Sequence, residues 1–341
     1  MPHGTGKPLG RYSSVVPPKA RQSARRVARV LEKAERVLVA GHVGADGDVV
    51  GSSLGLTLAL REMGKKVVVY NELPYPRAFA WLPGGNTLKQ TVSSRATFDA
   101  AVAVDSADAS RCGVDFPDSS RRGKFIWIDH HSHPKPPGDI NFIDLTSAAV
   151  GEQIVMVVDA MRHPLSRKVA QCVYASLMSD TGVFRYGNTS ARAFRLAGRL
   201  VECGVDPWEM TQRIYESQDE ERMRLLGRTL ENLWVSEDGR FGIARVSPRD
   251  MRDSGANPRH IHGLVNHIRG IKGIEVAFLL HKEGNDTRVI SRSRGNLSCH
   301  LFAEPFGAKG HKNAASFLAK GSLVQIQRKL VSSLPALAAK D

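Results

Sequence analysis

Val37-Leu38-Val39-Ala40-Gly41-His42-Val43-Gly44-Ala45-Asp46-Gly47-Asp48 is a short apolar run that stops at a glycine and gives way to a histidine and two carboxylates. An apolar tetrad rich in β-branched residues and closed by glycine predicts a strand buried on both faces. The segment from Ser52 to Leu60 reads as a helix. Working outward, Val67-Val68-Val69-Tyr70, Ala100 to Val104 and Phe125 to Ile128 are further apolar runs. Short β-rich runs alternating with helical segments predict βαβ units, hence an α/β fold with a mostly parallel sheet flanked by helices.

Further out, helical patterns run from about Arg21 to Glu35, Gly151 to Met161 and Ser166 to Met178. Another spans Ala191 to Leu233 with an interruption near Gly204–Pro207. Phe241 to Val246, Glu275 to Leu280 and Arg288 to Arg292 read as strands of a second, smaller α/β unit. The 341 residues suffice for two domains. Charged residues at 24% and hydrophobic ones at 42% exclude a disordered, collagen-like or coiled-coil chain. No stretch approaches the ~20 apolar residues of a spanning helix, and no apolar segment of a secretory signal follows the basic N-terminus. Four scattered cysteines without a C-x-x-C pair fit a reducing cytoplasm. The net charge of +14 favours polyanionic partners.

Ligands bind at the carboxyl ends of parallel strands. The first apolar run ends in His42-x-x-x-Asp46-x-Asp48, the third in Val104-Asp105, and the fourth in Ile128-Asp129-His130-His131. A helix runs into Ser179-Asp180. Taken singly, each is equally a polar turn or a helix cap. Together they place several carboxylates at one sheet edge, where they repel unless divalent cations separate them. Asp105, from a separate strand, is placed to bridge two ions, and paired metals ~3.5–4 Å apart recur in phosphoryl chemistry.

His42-x-x-x-Asp46-x-Asp48-x-x-Gly51-Ser52, Val104-Asp105, Asp129-His130-His131 and Asp180, in this order, resemble the motif set of the DHH phosphoesterases. Arg292-Ser293 and Phe306-Gly307-Ala308-Lys309-Gly310-His311 are similar to the DHHA1 domain, so the likeness covers roughly residues 35–320. The expected organisation is a basic, disordered tail over 1–20, a DHH-type catalytic domain over 21–190, a helical linker over 191–235 and a C-terminal substrate-binding domain over 236–335. Size and domain pairing look most like the small oligoribonuclease (nanoRNase) and pAp-phosphatase branch. The resemblance implies two manganese ions, with His42 and Asp46 on one, Asp48, His130 and Asp180 on the other, and Asp105 bridging. It implies hydroxide attack on phosphorus, with His131 as phosphate contact or proton donor. It also implies a cleft between the domains, with Arg292, Ser293, Gly307, Lys309, Gly310 and His311 gripping a short RNA or nucleotide. Two positions depart from the family pattern. Ala45 stands where proline is usual, and Ala308-Lys309 interrupt a run of glycines.

Arg111 follows the second motif and suits either a substrate phosphate or a salt bridge to Asp108 or Asp115. His260, His262 and His267 lack acidic companions in the sequence and read as surface or rim residues. His133 and His163 show no constellation. Trp81, Trp127, Trp208 and Trp234 read as core or interface, and aromatics at 6% argue against a broad stacking surface. Rival readings are a pyrophosphate or polyphosphate hydrolase, a RecJ-like single-strand exonuclease, and a nucleic-acid-binding protein with weak catalysis. A homodimer is compatible with all of these, and the choice among pAp, pApA, cyclic di-AMP and oligoribonucleotides stays open.

Overall fold

The computed structural model describes residues 12–106, 109–216, 218–294, 297–307 and 313–338. The chain divides into two compact units, Met1–Ser217 and Gln218–Asp341.

The first unit begins with α1 (Pro18–Lys33) and β1 (Arg36–Gly41), the strand of the opening motif. There follow α2 (Gly47–Glu62), β2 (Lys66–Tyr70), the short α3 (Arg77–Ala80), β3 (Ala100–Val104) and β4 (Lys124–Asp129). It ends with β5 (Ile140–Ile143), α4 (Val150–Ala160), α5 (Arg167–Asp180), α6 (Ala191–Glu202) and α7 (Pro207–Tyr215). The sheet runs in the order β2-β1-β3-β4-β5 and every pairing is parallel. All strands therefore deliver their carboxyl ends to one edge. The order reverses between β1 and β3, the crevice where open α/β sheets bind ligands.

The apolar runs form strands because both faces of the sheet are covered. Val37 and Val39 of β1 join the helix-side core, while Leu38 and Ala40 pack with Tyr70, Phe125 and Trp127 on the other face. Helix α2 is buried along nearly its whole length and packs on β1, β2, α4 and α5. Its approach to α5 needs Gly51. A Cβ there would run into the Cys172 carbonyl and lie 2.6 Å from the Ser176 amide. Arg192 of α6, itself buried, bonds Glu152 at 2.8 Å and Asp144 at 3.2 Å, which fixes the β5–α4 loop.

The second unit comprises α8 (Glu220–Glu231), β6 (Trp234–Val235), β7 (Phe241–Val246), α9 (Pro248–Ser254) and α10 (Val265–Arg269). After these come β8 (Val276–Glu283), β9 (Asp286–Ser293), α11 (Cys299–Ala303), β10 (Ala314–Ala319) and α12 (Leu323–Ala338). Its sheet order is β10-β9-β8-β7-β6, parallel only between β7 and β8. Phe278 and Leu280 face one core and Ala277 and Leu279 another, so this sheet too is covered on both faces.

The sequence pattern misses β5, β6 and β10. The stretch 191–233 forms three helices, with a second break between α7 and α8, where the two units divide. No helix among the described residues is long and apolar enough to cross a membrane. Trp127 is fully buried, whereas Trp208 is 61% exposed.

Candidate metal centre

His42 follows β1 directly. Its Nδ1 lies 3.1 Å from the Val43 carbonyl. A carbonyl only accepts, so Nδ1 donates there and Nε2 is left to face Asp105. Asp46 is the N-cap of α2. Its Oδ1 accepts from the amides of Asp48 and Val49, each at 3.1 Å, which leaves the other oxygen for a ligand. Asp48, in the first turn of α2, is fully buried. Its Oδ2 accepts from the Val150 amide at 2.8 Å, and its Oδ1 from Ser176 Oγ at 2.6 Å. The N-terminus of α4 thus holds this carboxylate with its partial positive charge.

Asp105 follows β3 with φ +46°, a left-handed conformation that costs a non-glycine residue ~1–2 kcal/mol. Its amide still pairs with the Ile128 carbonyl at 3.0 Å. Its Oδ2 is 4.0 Å from His42 Nε2, and its Oδ1 is 3.7 Å from His130 Nε2. His130 donates from Nδ1 to the Ser147 carbonyl at 3.1 Å, in the loop that Arg192 fixes. Its Nε2 therefore turns to Asp180 Oδ2 at 3.2 Å and Asp48 Oδ2 at 3.9 Å. Asp180 is the last residue of α5.

Three groups of side chains have donor atoms within 4.8 Å of one another: His42, Asp46 and Asp105; Asp48, His130 and Asp180; and Asp105, His130 and His131. Asp105 and His130 each belong to two of these groups. The charges conflict without a cation. Burial, then Asp180, Asp105 and Asp46, hold the Asp48 carboxyl well above the usual carboxylate range. Burial, then Asp105 and Asp46, push Asp180 up to about 8. Asp105 Oδ1 and His130 Nε2 are buried without a well-aligned hydrogen bond, although His131 Nδ1 lies 3.3 Å from the first and Asp180 Oδ2 3.2 Å from the second. Buried carboxylate oxygens and imidazole nitrogens that converge without well-aligned partners are the donor set of a divalent cation, so these residues fit such ions.

His131 is built differently. Its side chain is 62% exposed, and its Nδ1 lies 2.9 Å from Asp129 Oδ1 and 3.3 Å from Asp105 Oδ1. Those two carboxylates, Asp105 first, raise its pKa to about 10. Asp129 stays ionised, because hydrogen bonds from His131 and His133 outweigh its burial. His133 donates to Asp129 Oδ2 at 2.9 Å. The sequence reading gave His133 no constellation; its signal was the i,i+4 offset from Asp129.

Arg111 sits in the turn Ala109–Cys112, where its carbonyl accepts from the Val43 amide at 2.6 Å. Its exposed guanidinium pairs with no described carboxylate, Asp115 included, and Asp108 lies outside the described residues. In the second unit, Arg292 is half-buried on β9 and donates to the Ser291 carbonyl at 2.9 Å. Burial lowers its pKa. Ser293 Oγ lies 3.5 Å from Asn313 Oδ1, and Gly307 adopts φ +69°. Lys309, Gly310 and His311 lie outside the described residues. His260 does have an acidic companion: it is buried, with Nε2 3.3 Å from Asp219 Oδ2. His163 pairs with Glu62 at 3.2 Å.

A family model described as the DHH family, N-terminal domain, matches residues 36–177. A bifunctional oligoribonuclease and PAP phosphatase NrnA of Thermus thermophilus is 32% identical over 306 residues, 89% of this chain and 90% of that protein. A protein of the same description from Bacillus subtilis is 25% identical over 84% of this chain and 90% of its own length. Among solved structures, an exopolyphosphatase-related protein of Bacteroides fragilis superposes with a TM-score of 0.85 at 24% identity, covering 93% of this chain and 98% of that one. That likeness shows the fold.

Proposed function

The chain belongs to the DHH family of phosphoesterases, and we propose that it is a dinuclear, manganese-dependent hydrolase of short oligoribonucleotides and of pAp. The observation that carries this is a pair of ligand groups, His42 with Asp46 and Asp105, and Asp48 with His130 and Asp180, which meet where Asp105 Oδ1 lies 3.7 Å from His130 Nε2, at the point where the strand order reverses. In this reading His42, Asp46 and Asp105 hold one ion, and Asp48, His130, Asp180 and Asp105 hold the other. Bound there, the ions would acidify a water and neutralise charge on the phosphoryl oxygens.

The chain's own residues supply the rest. Asp129 keeps the proton of His131 on Nδ1 and so turns Nε2 outward, where it serves the leaving oxygen as hydrogen-bond or proton donor. Arg111 is proposed to contact phosphate through its exposed guanidinium, which pairs with no described carboxylate. In the second unit Arg292, Ser293, Gly307, Lys309, Gly310 and His311 are proposed to bind the remainder of the substrate. The activities named for the relatives, oligoribonuclease and PAP phosphatase, favour short nucleotides over polyphosphate. Four free cysteines accord with a cytoplasmic setting.

The test is a panel of pAp, pApA, a five-nucleotide RNA, pyrophosphate and polyphosphate with manganese, resolved by product chromatography. Nucleotide hydrolysis that disappears in Asp105→Asn together with one equivalent of bound metal is the expected result. Preferential turnover of pyrophosphate, or normal turnover in the variant, would overturn it.

A further inference from the structure

Helix α1 breaks the local rules of helix electrostatics. Its first turn carries no acidic residue to meet the positive end of the helix dipole. Arg21, Arg25 and Arg29 instead repeat at i, i+4 and i+8, a spacing at which like charges repel. All three line a cavity of about 530 Å³. Arg162 joins them from the end of α4, where it occupies the position after the C-cap at φ +55°. Glycine is usual there, because a side chain in the left-handed region is strained. The amides of Arg162 and His163 close the helix end on Asp159 and Val158, so the strain is built into the fold.

None of the four arginines makes an ion pair with a described residue. Two carboxylates also line the cavity. Asp159 is already neutralised by a two-pronged pair with Arg199, at 2.6 and 2.7 Å, which leaves Glu32. The remaining wall includes Ala28, Met156 and Ala160. Four solvent-exposed arginines, Arg162 among them at a strained position, thus converge on one cavity with an apolar floor, and clustered guanidinium groups suit bidentate contact with phosphate.

We propose that this cavity is a second ligand site, which takes the phosphates of a nucleotide on its arginines and the base on its apolar floor. The volume suits such a ligand. The site is distinct from the metal centre. Helix α4 presents Val150 to Asp48 at its start and Ala160 to the cavity at its end, roughly 15 Å along its axis by helical rise. The same phosphate chemistry has two sources, a free mononucleotide or the distal part of a longer RNA strand. The proposal does not depend on the hydrolytic reading.

The test uses the full chain in EDTA, where hydrolysis does not confuse binding. The probes are a fluorescent ATP analogue and a fluorescein-labelled twelve-nucleotide RNA, titrated against wild type, Arg25→Gln/Arg29→Gln and Arg162→Gly. Arg26→Gln/Lys33→Gln, on the same helix but outside the cavity, is the charge control. At least a tenfold loss of ATP-analogue affinity confined to the cavity variants supports the site with a free nucleotide. A comparable loss for the RNA, with the salt slope reduced by about two in the double variant, supports it with a strand. Arg162→Gly is expected to melt higher and bind more weakly, which a merely structural arginine would not do. Unchanged binding of both probes, or equal losses in the charge control, overturns the proposal.

Discussion

Asp105 pairs its amide with β4 while its φ of +46° turns the side chain toward two groups of donors. Strain of this kind persists only where the surroundings hold it, and here two covered sheet faces do so. His133 acts one shell further out, through Asp129 on His131. His133→Ala should lower turnover by about 10–100-fold at unchanged metal content. His133→Gln, which keeps a donor near Asp129, should recover part of it; metal analysis beside kinetics checks both. Titration gives a second prediction. Asp180 and Asp48 have folded-state pKa values raised above the unfolded carboxylate value. A raised value contributes stability at low pH, lost as pH rises through the folded pKa. The metal-free protein should therefore melt progressively lower from pH 4 to pH 8, and manganese should reverse the loss and release protons. A melting temperature in EDTA that rises over this window would contradict the crowding of carboxylates. The six side chains around Asp105 were legible because each interrupts or ends an apolar run. The Asp129–His133 pair was not, because its one sequence signal, a spacing of four between a strand end and the following loop, has no meaning until the loop folds back on the strand.

At the level of elements, the strands most readable in sequence are those buried on both faces, since their apolar runs are continuous. Ile140-Asn141-Phe142-Ile143 in β5 is too short and mixed for that signal, and β10 pairs alanines and serine with only one aromatic. Strand order was illegible altogether, because it depends on how helices pack between strands. The contact between α2 and α5 shows how tightly packing governs the site. Asp48 and Ser176 meet across it, and Gly51, with Gly47 and Gly55 on the same helix, lets the two helices close. Gly51→Ala should cost about 1–3 kcal/mol by overpacking. Because the same displacement separates Asp48 from Asp180, it should also weaken manganese binding. Thermal unfolding with and without metal measures both effects; a variant with wild-type metal affinity would show that the helices can part without disturbing the donors.

Taken as a whole, the molecule carries separate hydrophobic cores in its two units, and among the described residues every group of candidate metal donors belongs to the first. Calorimetry should accordingly resolve two transitions, of which manganese raises one. A single transition, or an equal shift in both, would show that the units unfold together. The hold of α4 on Asp48 joins residues 102 positions apart, and the bond from Ser176 spans 128. A nascent polypeptide emerging from the ribosome has already exposed five of the six donors before position 180 is translated. Until α4 and α5 have docked, those donors hang on an open coil and compete poorly for trace metal. On the proposed reading, charging with metal would wait until translation had passed the last donor at position 180.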